Sequence, residues 1–147
     1  MLDATCASGR YWTAMPEENV EVVRSMLGAF NRDDVDAVIA AFDEGCEIRE
    51  PLEMPDSPAM GYRGHDGIRE WMRNLRGVAR AGFELRRFTS SGDVLLCELA
   101  SRGLGQASAV PIEWMTFAVF EMRRGKIGRI RVFLSREEAL EAMGLRE

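Results

Sequence analysis

Residues 47–75 read EIREPLEMPDSPAMGYRGHDGIREWMRNL and place a strand, a proline-rich loop and a helix in close succession. From residue 46 to residue 50, apolar and polar side chains alternate, which predicts a β-strand. Three prolines then exclude a continuous strand ladder, so a loop is expected as far as Gly64. Glu50, at the end of the strand, is therefore either a rim charge or a base at the mouth of a pocket. A helix is predicted next from apolar residues at helical spacing: Ile68, Trp71, Met72 and Leu75.

Further helices and strands are predicted on either side of this stretch. Apolar residues at i, i+3, i+4 and i+7 indicate one helix in residues 16–30 and a second one that Gly45 would end. Ser135 and Glu138 have the spacing of a capping box, which predicts a last helix ending at Gly144. Between the helix that contains Trp71 and this last helix, four strands joined by short turns are predicted, at residues 83–89, 94–102, 111–122 and 127–134. Consecutive strands of this kind form an antiparallel meander.

The resulting element order, α-α-β-α-β-β-β-β-α, predicts an α+β fold with helices packed on one face of a curved antiparallel sheet. The chain has 147 residues, enough for one domain that encloses a small-molecule cavity. Residues 1–14 show no periodicity and are expected to form a disordered leader. The folded domain is therefore predicted to span residues 15–147.

Composition and charge limit the partners that this chain is expected to have. With 46% hydrophobic residues, 29% charged residues and a net charge of −5, it is typical of a soluble protein and unlike a nucleic-acid binder. No segment has the apolar length of a membrane span, and the first residues lack the apolar centre of a signal peptide. Three cysteines without CxxC spacing favour a reduced, cytoplasmic setting. Since no glycine-rich phosphate loop and no metal-ligand cluster occur, no cofactor or metal is expected.

The third strand of the meander has two apolar faces, and the second strand carries two charges. Trp114, Thr116 and Ala118 share one of these apolar faces, and one of the two faces is expected to pack under the helices. The opposite face needs a cover, for which a second subunit packed sheet to sheet is the simplest, so a homodimer is predicted. Glu98 and Arg102 are expected to be polar groups of the cavity wall. The alternative is that both are surface charges, with Arg102 as the structural partner of Glu98.

Four aromatic or imidazole side chains are candidates for the pocket and its mouth. Trp71 and Trp114 could stack on a flat ligand or belong to the core. Tyr62 could close the mouth with its hydroxyl or simply pack. His65, the only histidine, could act as an acid or base there, but its position favours capping the third helix, a role equally open to Asp66.

Four segments of the sequence resemble one family in their order and spacing. They are ENVEVVRSMLGAFNRDDVDAVIAAF, EIREP, YRGHDGIREWM and MRRGKIGRIRVFLSREEALEAMGL. Together they resemble the SnoaL-like branch of the nuclear transport factor 2-like superfamily, which includes polyketide cyclases, ketosteroid isomerases and limonene epoxide hydrolases. The resemblance covers nearly all of the chain after Met15. It implies a cone-shaped, cystatin-like α+β fold whose helices pack on the concave face of the sheet.

The resemblance also implies roles for single residues. Glu50 falls where the isomerases keep their proton-shuttling aspartate, just before a proline. Met26 stands where they carry the oxyanion-hole tyrosine, and Ala118 where they carry a protonated acid, so steroid isomerisation by that arrangement is not expected. The Asp-Arg-Asp set of the epoxide hydrolases has no match. Cavity-lining positions of the family map onto Trp71, Glu98, Ala100, Arg102, Thr116 and Ala118.

Two functions are compatible with these expectations. The first is a dimeric SnoaL-like protein that binds a small hydrophobic molecule, in which Glu50 takes a proton from a carbon next to a carbonyl or activates water. Such an enzyme would be an isomerase, cyclase or hydrolase of a carbonyl or epoxide substrate. The second is a non-catalytic ligand-sensing or protein-docking module. The enzyme requires Glu50 to point into an enclosed pocket that has a donor within hydrogen-bond reach of a bound carbonyl oxygen. The module predicts a cavity filled by Met26, Trp71 and Trp114, with Glu50 in solvent.

Overall fold

The computed structural model describes residues 16–51, 61–76, 82–104 and 111–144. The expected leader, residues 1–14, lies outside these residues. Within them, the helices and strands follow in this order: α1 Pro16–Asn31, α2 Val35–Ala40, β1 Phe42–Arg49, β2 Tyr62–Arg63, α3 Gly64–Arg76, β3 Gly82–Ser91, β4 Val94–Leu104, β5 Pro111–Arg123, β6 Lys126–Phe133 and α4 Arg136–Ala142. None of the described helices is both long and apolar enough to cross a membrane.

The strands form one sheet in the order β2-β1-β6-β5-β4-β3. Strands β3 to β6 form the predicted antiparallel meander, and the α+β class is confirmed. One junction departs from the expected antiparallel pairing, because β1 pairs with β6 in parallel. A parallel pair needs a long crossover, which here is the whole segment from β2 to β5. Register shifts interrupt the β1–β6, β3–β4 and β5–β6 junctions, and such irregularities bend a sheet.

The boundary between α2 and β1 differs from the prediction. Helix α2 ends at Ala40, and Gly45 lies inside β1 rather than closing the helix. The helical spacing continues to Phe42, but Phe42 pairs with Ile127 in β6 and is almost fully buried. The backbone N–H of Ile127 also donates to the carbonyl of Ala41 at 2.9 Å. Pairing with a distant strand thus overrides the local apolar pattern.

Two apolar clusters lie on opposite faces of the sheet. We call the face that carries Leu99 and Ala118 the inner face; α1, α2 and α3 pack against it over the main core. The other face, here the outer face, carries Leu96 and Val119, which pack against Leu140 of α4. Helix α4 therefore provides much of the cover for which the sequence suggested a second subunit.

A short clasp joins the end of α1 to the start of β3. The side-chain amide of Asn31 donates to the carbonyl of Phe83 at 2.9 Å, and the N–H of Phe83 donates to Oδ1 of Asn31 at 3.0 Å. Gly82 has φ +94°, and a Cβ on it would collide with the Asn31 side chain. The clasp fixes α1 over the inner face, where two of its residues reach the cavity described below.

Candidate functional site

A cavity lies between α1, α3 and the inner face of the sheet. Its volume is about 40 Å³, counted as the space open to the centres of water molecules, within a void of about 520 Å³ that includes its opening. A cavity of this size holds a few water molecules, since one needs roughly 10–15 Å³. Its wall is mostly aliphatic and aromatic; among the described lining residues Glu50 is the only ionisable side chain and Thr116 the only hydroxyl.

Glu50 lies at the border between this cavity and a second, more polar pocket. It follows β1 by one residue, and Ile48, two positions earlier, is fully buried in the main core. Because side chains alternate along a strand, Glu50 continues the inner side. The polar pocket is formed by the ends of β1 and β6 together with Glu138 of α4. Glu50 therefore stands where apolar and polar surroundings meet.

Five of the other predicted lining residues are on the cavity wall. Met26 and Trp71 reach it from α1 and α3, and β5 contributes Trp114, Thr116 and Ala118. Met26, Trp71 and Ala118 are buried. The two positions where the isomerases carry acidic donors, Met26 and Ala118, are thus apolar parts of this wall.

Glu98 and Arg102 do not line the cavity, and their prediction as polar groups of its wall is wrong. In the β4–β5 register Leu99 pairs with Thr116, so the odd positions of β4 share the inner face with the lining residues of β5. Glu98 and Arg102, at even positions, face the other way. The sequence could not show this, because Leu95 and Leu96 make both sides of β4 apolar.

The predicted pairing of Glu98 with Arg102 is also wrong. Glu98 is buried, with only 8% of its surface exposed. Arg136, the first residue of α4, donates from Nε to Oε2 of Glu98 at 3.1 Å, and Arg87 lies 3.8 Å away. Arg102 instead contacts the carboxylates of Glu84 and Glu113, each at 3.2 Å, on the exposed end of the outer face.

The expected mouth residues pack beside the cavity without lining it. Tyr62 is buried in β2, and its hydroxyl accepts a hydrogen bond from Asn74 of α3 at 2.9 Å. Helix α3 begins at Gly64, so His65 and Asp66 lie in its first turn and do not precede it as caps. The Nε2 atom of His65 is 3.2 Å from the carbonyl oxygen of Phe42. Both Tyr62 and His65 therefore connect α3 to its neighbouring strands.

Sequence reasoning missed Ser101, a polar residue behind the cavity wall. It is fully buried, and its Oγ is 3.3 Å from Oγ1 of Thr116. Of the two hydroxyl protons in this pair, the mutual hydrogen bond uses one, so the other remains for an acceptor such as a ligand oxygen. Ser101 lies at an odd position of β4. Had the sequence shown that the odd positions of this strand face inward, it would have predicted Ser101 beside the cavity. The indole Nε1 of Trp71 is also buried, and it has no hydrogen-bond partner.

Burial and ion pairing shift the pKa values of Cys97, Cys46 and Glu47. Burial raises the pKa of the Cys97 thiol from 9.0 to about 12, and that of the Cys46 thiol is also raised by burial. The pKa of Glu47 is lowered, first by the hydrogen bond from Arg49 and further by Arg63 and Arg129. In the part of the chain that the structure describes, no three His, Cys, Asp or Glu side chains cluster as metal ligands.

Comparisons with known proteins agree with the architecture. A protein-family model for the SnoaL-like domain matches residues 23–130. A Burkholderia pseudomallei NTF2-like protein of unknown function superimposes with a TM-score of 0.69 at 19% identity, covering 84% of this chain and 95% of that one. No curated protein sequence matches this chain.

Two other solved structures are similar to this chain, one co-crystallised with a ligand and one of an enzyme. TerC, co-crystallised with polyporic acid, has a TM-score of 0.68 at 20% identity, with 86% and 98% of the two chains covered. The epoxide hydrolase/cyclase-like enzyme SalBIII has a role in pyran ring formation in salinomycin. It superimposes with a TM-score of 0.67 at 21% identity, covering 83% of this chain and 94% of that one. At such low identities, the similarity to these structures shows a common fold and no common activity. Because the family model spans most of the sequence, the chain belongs to the SnoaL-like domain family.

Proposed function

We propose that this protein binds a small hydrophobic molecule in the apolar cavity and acts on it by acid–base chemistry at Glu50. The observation that carries the proposal is the position of Glu50 as the one ionisable side chain among the described residues of that wall. A carboxylate beside an apolar cavity is well placed to accept a proton from a bound substrate or from water. The reaction class is an isomerisation, cyclisation or hydrolysis of a carbonyl compound or epoxide.

Thr116 and Ser101 supply the polar counterpart to Glu50. Thr116 lines the cavity, and the buried hydroxyl of Ser101 supports it from behind. A substrate oxygen bound to Thr116 would orient the reacting carbon toward Glu50. One hydroxyl is a weaker stabiliser of an oxyanion than the two acidic donors of the isomerases, each donor being worth roughly 3–4 kcal/mol. This favours reactions that develop little negative charge on oxygen, or in which water is the attacking group.

The similarity to SalBIII supports a cyclase or hydrolase, since that enzyme is described as epoxide hydrolase/cyclase-like. TerC supports a small organic ligand, because it was co-crystallised with polyporic acid. Trp71 and Trp114 offer aromatic surfaces for such a ligand in this cavity.

The test is a turnover and thermal-shift screen with polycyclic ketones, lactones and epoxides on the wild type and Glu50→Gln. Glu98→Gln is the matched control, because Glu98 is a buried carboxylate on the outer face. The proposal predicts that Glu50→Gln loses turnover by at least about 100-fold, the usual contribution of a general base, with its melting temperature kept. Equal turnover in Glu50→Gln and the wild type would reject it.

A non-catalytic ligand-binding or docking module is the second candidate. It is favoured by the small volume of the cavity and by the apolar residues Met26 and Ala118 at the two acidic-donor positions. In that case a compound of the screen would stabilise the wild type and Glu50→Gln equally, and neither protein would convert it.

We further propose that the protein is a cytoplasmic homodimer. Met115, on the outer face of β5, keeps 39% of its surface exposed, and a second subunit would cover it. Cys46 and Cys97 are both free thiols, as a reducing compartment maintains them. Sedimentation of the wild type and Met115→Glu tests the dimer. The glutamate is expected to dissociate the dimer, because it places a charge in the interface. A monomeric wild type would contradict the proposal.

A further inference from the structure

The indole of Trp71 contains a hydrogen-bond donor that the folded chain leaves unused. Trp71 belongs to α3, keeps only 6% of its surface exposed and lines the apolar cavity. Its Nε1 atom is buried and has no hydrogen-bond partner. Because an indole N–H can only donate, no change of tautomer or protonation relieves the unmet bond. A buried donor without an acceptor is unfavourable and uncommon, so its presence on a cavity wall calls for an explanation.

Position separates Trp71 from the other described side chains that have a buried polar atom without a partner. The others are Asn19, Arg129 and Arg131. None of these three is among the described residues that line the apolar cavity. The two arginines also form ion pairs with Glu121 through other nitrogen atoms. In Trp71 the indole nitrogen is the only polar atom of the side chain, so the donor beside the cavity stays wholly unsatisfied.

Aromatic neighbours hold the indole ring in place. The ring centre of Phe30 lies 5.6 Å from that of Trp71 at an angle of 47°, and the ring centre of Phe42 lies 6.4 Å away in an edge-on contact at 69°. Phe30 packs in turn on Phe83, with 5.2 Å between the ring centres. Tilted and edge-on contacts of this kind favour one ring orientation. Since phenyl rings offer no conventional acceptor, these neighbours fix the indole without satisfying it.

The cavity is the space beside the indole in which an acceptor can be placed. A few water molecules fit into it, but a water molecule at Nε1 would itself need two to four polar partners. Most of the described wall is aliphatic or aromatic, and the hydroxyl of Thr116 belongs to the sheet rather than to α3. A charged ligand oxygen would lose its hydration in such surroundings, whereas an uncharged oxygen loses far less. The wall therefore suits an uncharged acceptor carried by an apolar molecule.

We propose that Trp71 is a specificity-determining residue of the cavity, whose indole N–H donates to an uncharged oxygen of the ligand. Ketones, esters, lactones and ethers carry such an oxygen. The inference rests on the proposed function only in that a ligand occupies this cavity, and it does not depend on proton transfer by Glu50. Because the donor is already desolvated and held still, the bond forms with little further loss of hydration or of side-chain freedom. A hydrocarbon of the same shape leaves the donor unmet, so the cavity selects oxygenated molecules.

Nuclear magnetic resonance of the indole N–H groups reports on this bond directly. The probes are acetophenone and α-methylstyrene, which have nearly the same shape and differ in a carbonyl oxygen that replaces a methylene group. The chain has three tryptophans and hence three indole signals, of which the spectrum of Trp71→Phe identifies the one from Trp71. If that variant does not fold, Trp12→Phe and Trp114→Phe assign the signal by elimination.

Acetophenone is expected to move the Trp71 signal downfield until it saturates, as a new hydrogen bond does. The control ligand α-methylstyrene places a similar ring in the cavity but accepts no comparable bond. It is therefore expected to leave out the downfield shift and to show only the effect of the ring itself.

Calorimetric titration of the two probes adds a matched pair of variants. The preference for acetophenone is the ratio of the two dissociation constants, from which general changes in packing cancel. Trp71→Phe removes the donor but keeps an aromatic ring, and should lower this preference about fivefold, the usual net effect of one hydrogen bond. Trp114→Phe removes an indole from the same wall. Trp114 is partly exposed and its nitrogen is not buried without a partner, so this control should leave the preference unchanged.

The inference is overturned if acetophenone leaves the Trp71 signal in place, if both probes move it alike, or if the two tryptophan variants lower the preference equally. Glu50→Gln separates this outcome from a failure of the proposed function, because that variant keeps the Trp71 donor. A Trp71 signal that responds to acetophenone in Glu50→Gln as in the wild type supports the inference, whatever the turnover of the variant. Lost turnover in Glu50→Gln together with an unmoved Trp71 signal would reject this donor and leave the proposed chemistry standing.

Discussion

Arg136 Nε donates to Glu98 Oε2 at 3.1 Å, and this contact joins the first turn of α4 to the outer face of the sheet. Glu98 is buried and Arg136 is only partly exposed. A carboxylate in such surroundings needs a partner, because leaving it unpaired costs several kcal/mol. The pair therefore links α4 to the outer face of β4, beside the apolar contacts of Leu140.

Arg136→Ala is expected to lower the free energy of unfolding by about 1–3 kcal/mol, the cost of leaving a buried acceptor without its donor. Urea denaturation measures this loss. Arg102→Ala, which removes two exposed ion pairs on the same face, is the control and should cost no more than about 1 kcal/mol. Equal losses in the two variants would show that the Glu98 pair does not hold α4.

The two faces of β4 show where the sequence stops being informative. Period-two alternation predicts a strand but not its inward side when Leu95 and Leu96 are both fully buried. The deciding fact is that α4 docks on the even side, and its capping box at Ser135 lies far along the chain. Sequence patterns located α4 correctly, yet gave no information about the face that it covers.

Local signals succeeded where the partners of a segment are its neighbours in sequence. The meander of β3 to β6 and the helix after Ser135 were predicted because short turns and a capping side chain are local features. The start of β1 was missed because Phe42 pairs with Ile127, a residue of the last strand. In the site, the position of Glu50 at the end of a strand was predictable, whereas Ser101 was not.

Gly82→Ala is expected to destabilise the protein by about 2–4 kcal/mol, since it adds backbone strain at φ +94° and a collision with Asn31. Gly92→Ala is the matched control, because Gly92 also has a positive φ but has open space around its Cα. It should cost only about 1 kcal/mol from strain. Urea titrations compare the two variants. Similar losses would mean that the Asn31 clasp contributes nothing to stability.

The thiol of Cys97 is expected to resist alkylation in the folded protein. Its pKa is raised by burial to about 12, so almost no thiolate is present at pH 8.5. Mass spectrometry after iodoacetamide treatment, in a Cys6→Ser background, should find Cys97 labelled only when urea is added. Rapid labelling of Cys97 without urea would contradict its burial.

The raised pKa of Cys97 also predicts a loss of stability at high pH. The unfolded thiol ionises near pH 9, whereas the folded one stays neutral up to about pH 12. The free energy of unfolding contributed by this group is therefore complete below pH 9 and is lost as the pH rises from 9 toward 12. The wild type should lose more stability than Cys97→Ala over that window, and parallel curves would contradict the prediction.

Acid should destabilise the protein through Glu47. Because its pKa lies below the ordinary 4.5, chiefly through the hydrogen bond from Arg49, its contribution is present above about pH 4.5 and is lost as the pH falls through the lower folded value. Glu47→Gln is expected to flatten the dependence of unfolding free energy on pH below 4.5. Glu137→Gln, at an exposed position, is the control. If the unfolding free energy of both variants depends on pH in the same way, Glu47 is not the source of the acid sensitivity.

The central claim, that a ligand occupies the cavity beside Glu50, is tested most directly by filling that cavity from β5. Ala118 is buried on its wall, so Ala118→Leu should weaken binding of any ligand found in the screen at least tenfold, as measured by tryptophan fluorescence titration. Met115→Leu changes the opposite face of the same strand and should bind as the wild type does. Undiminished affinity in Ala118→Leu would contradict the claim that the ligand lies there.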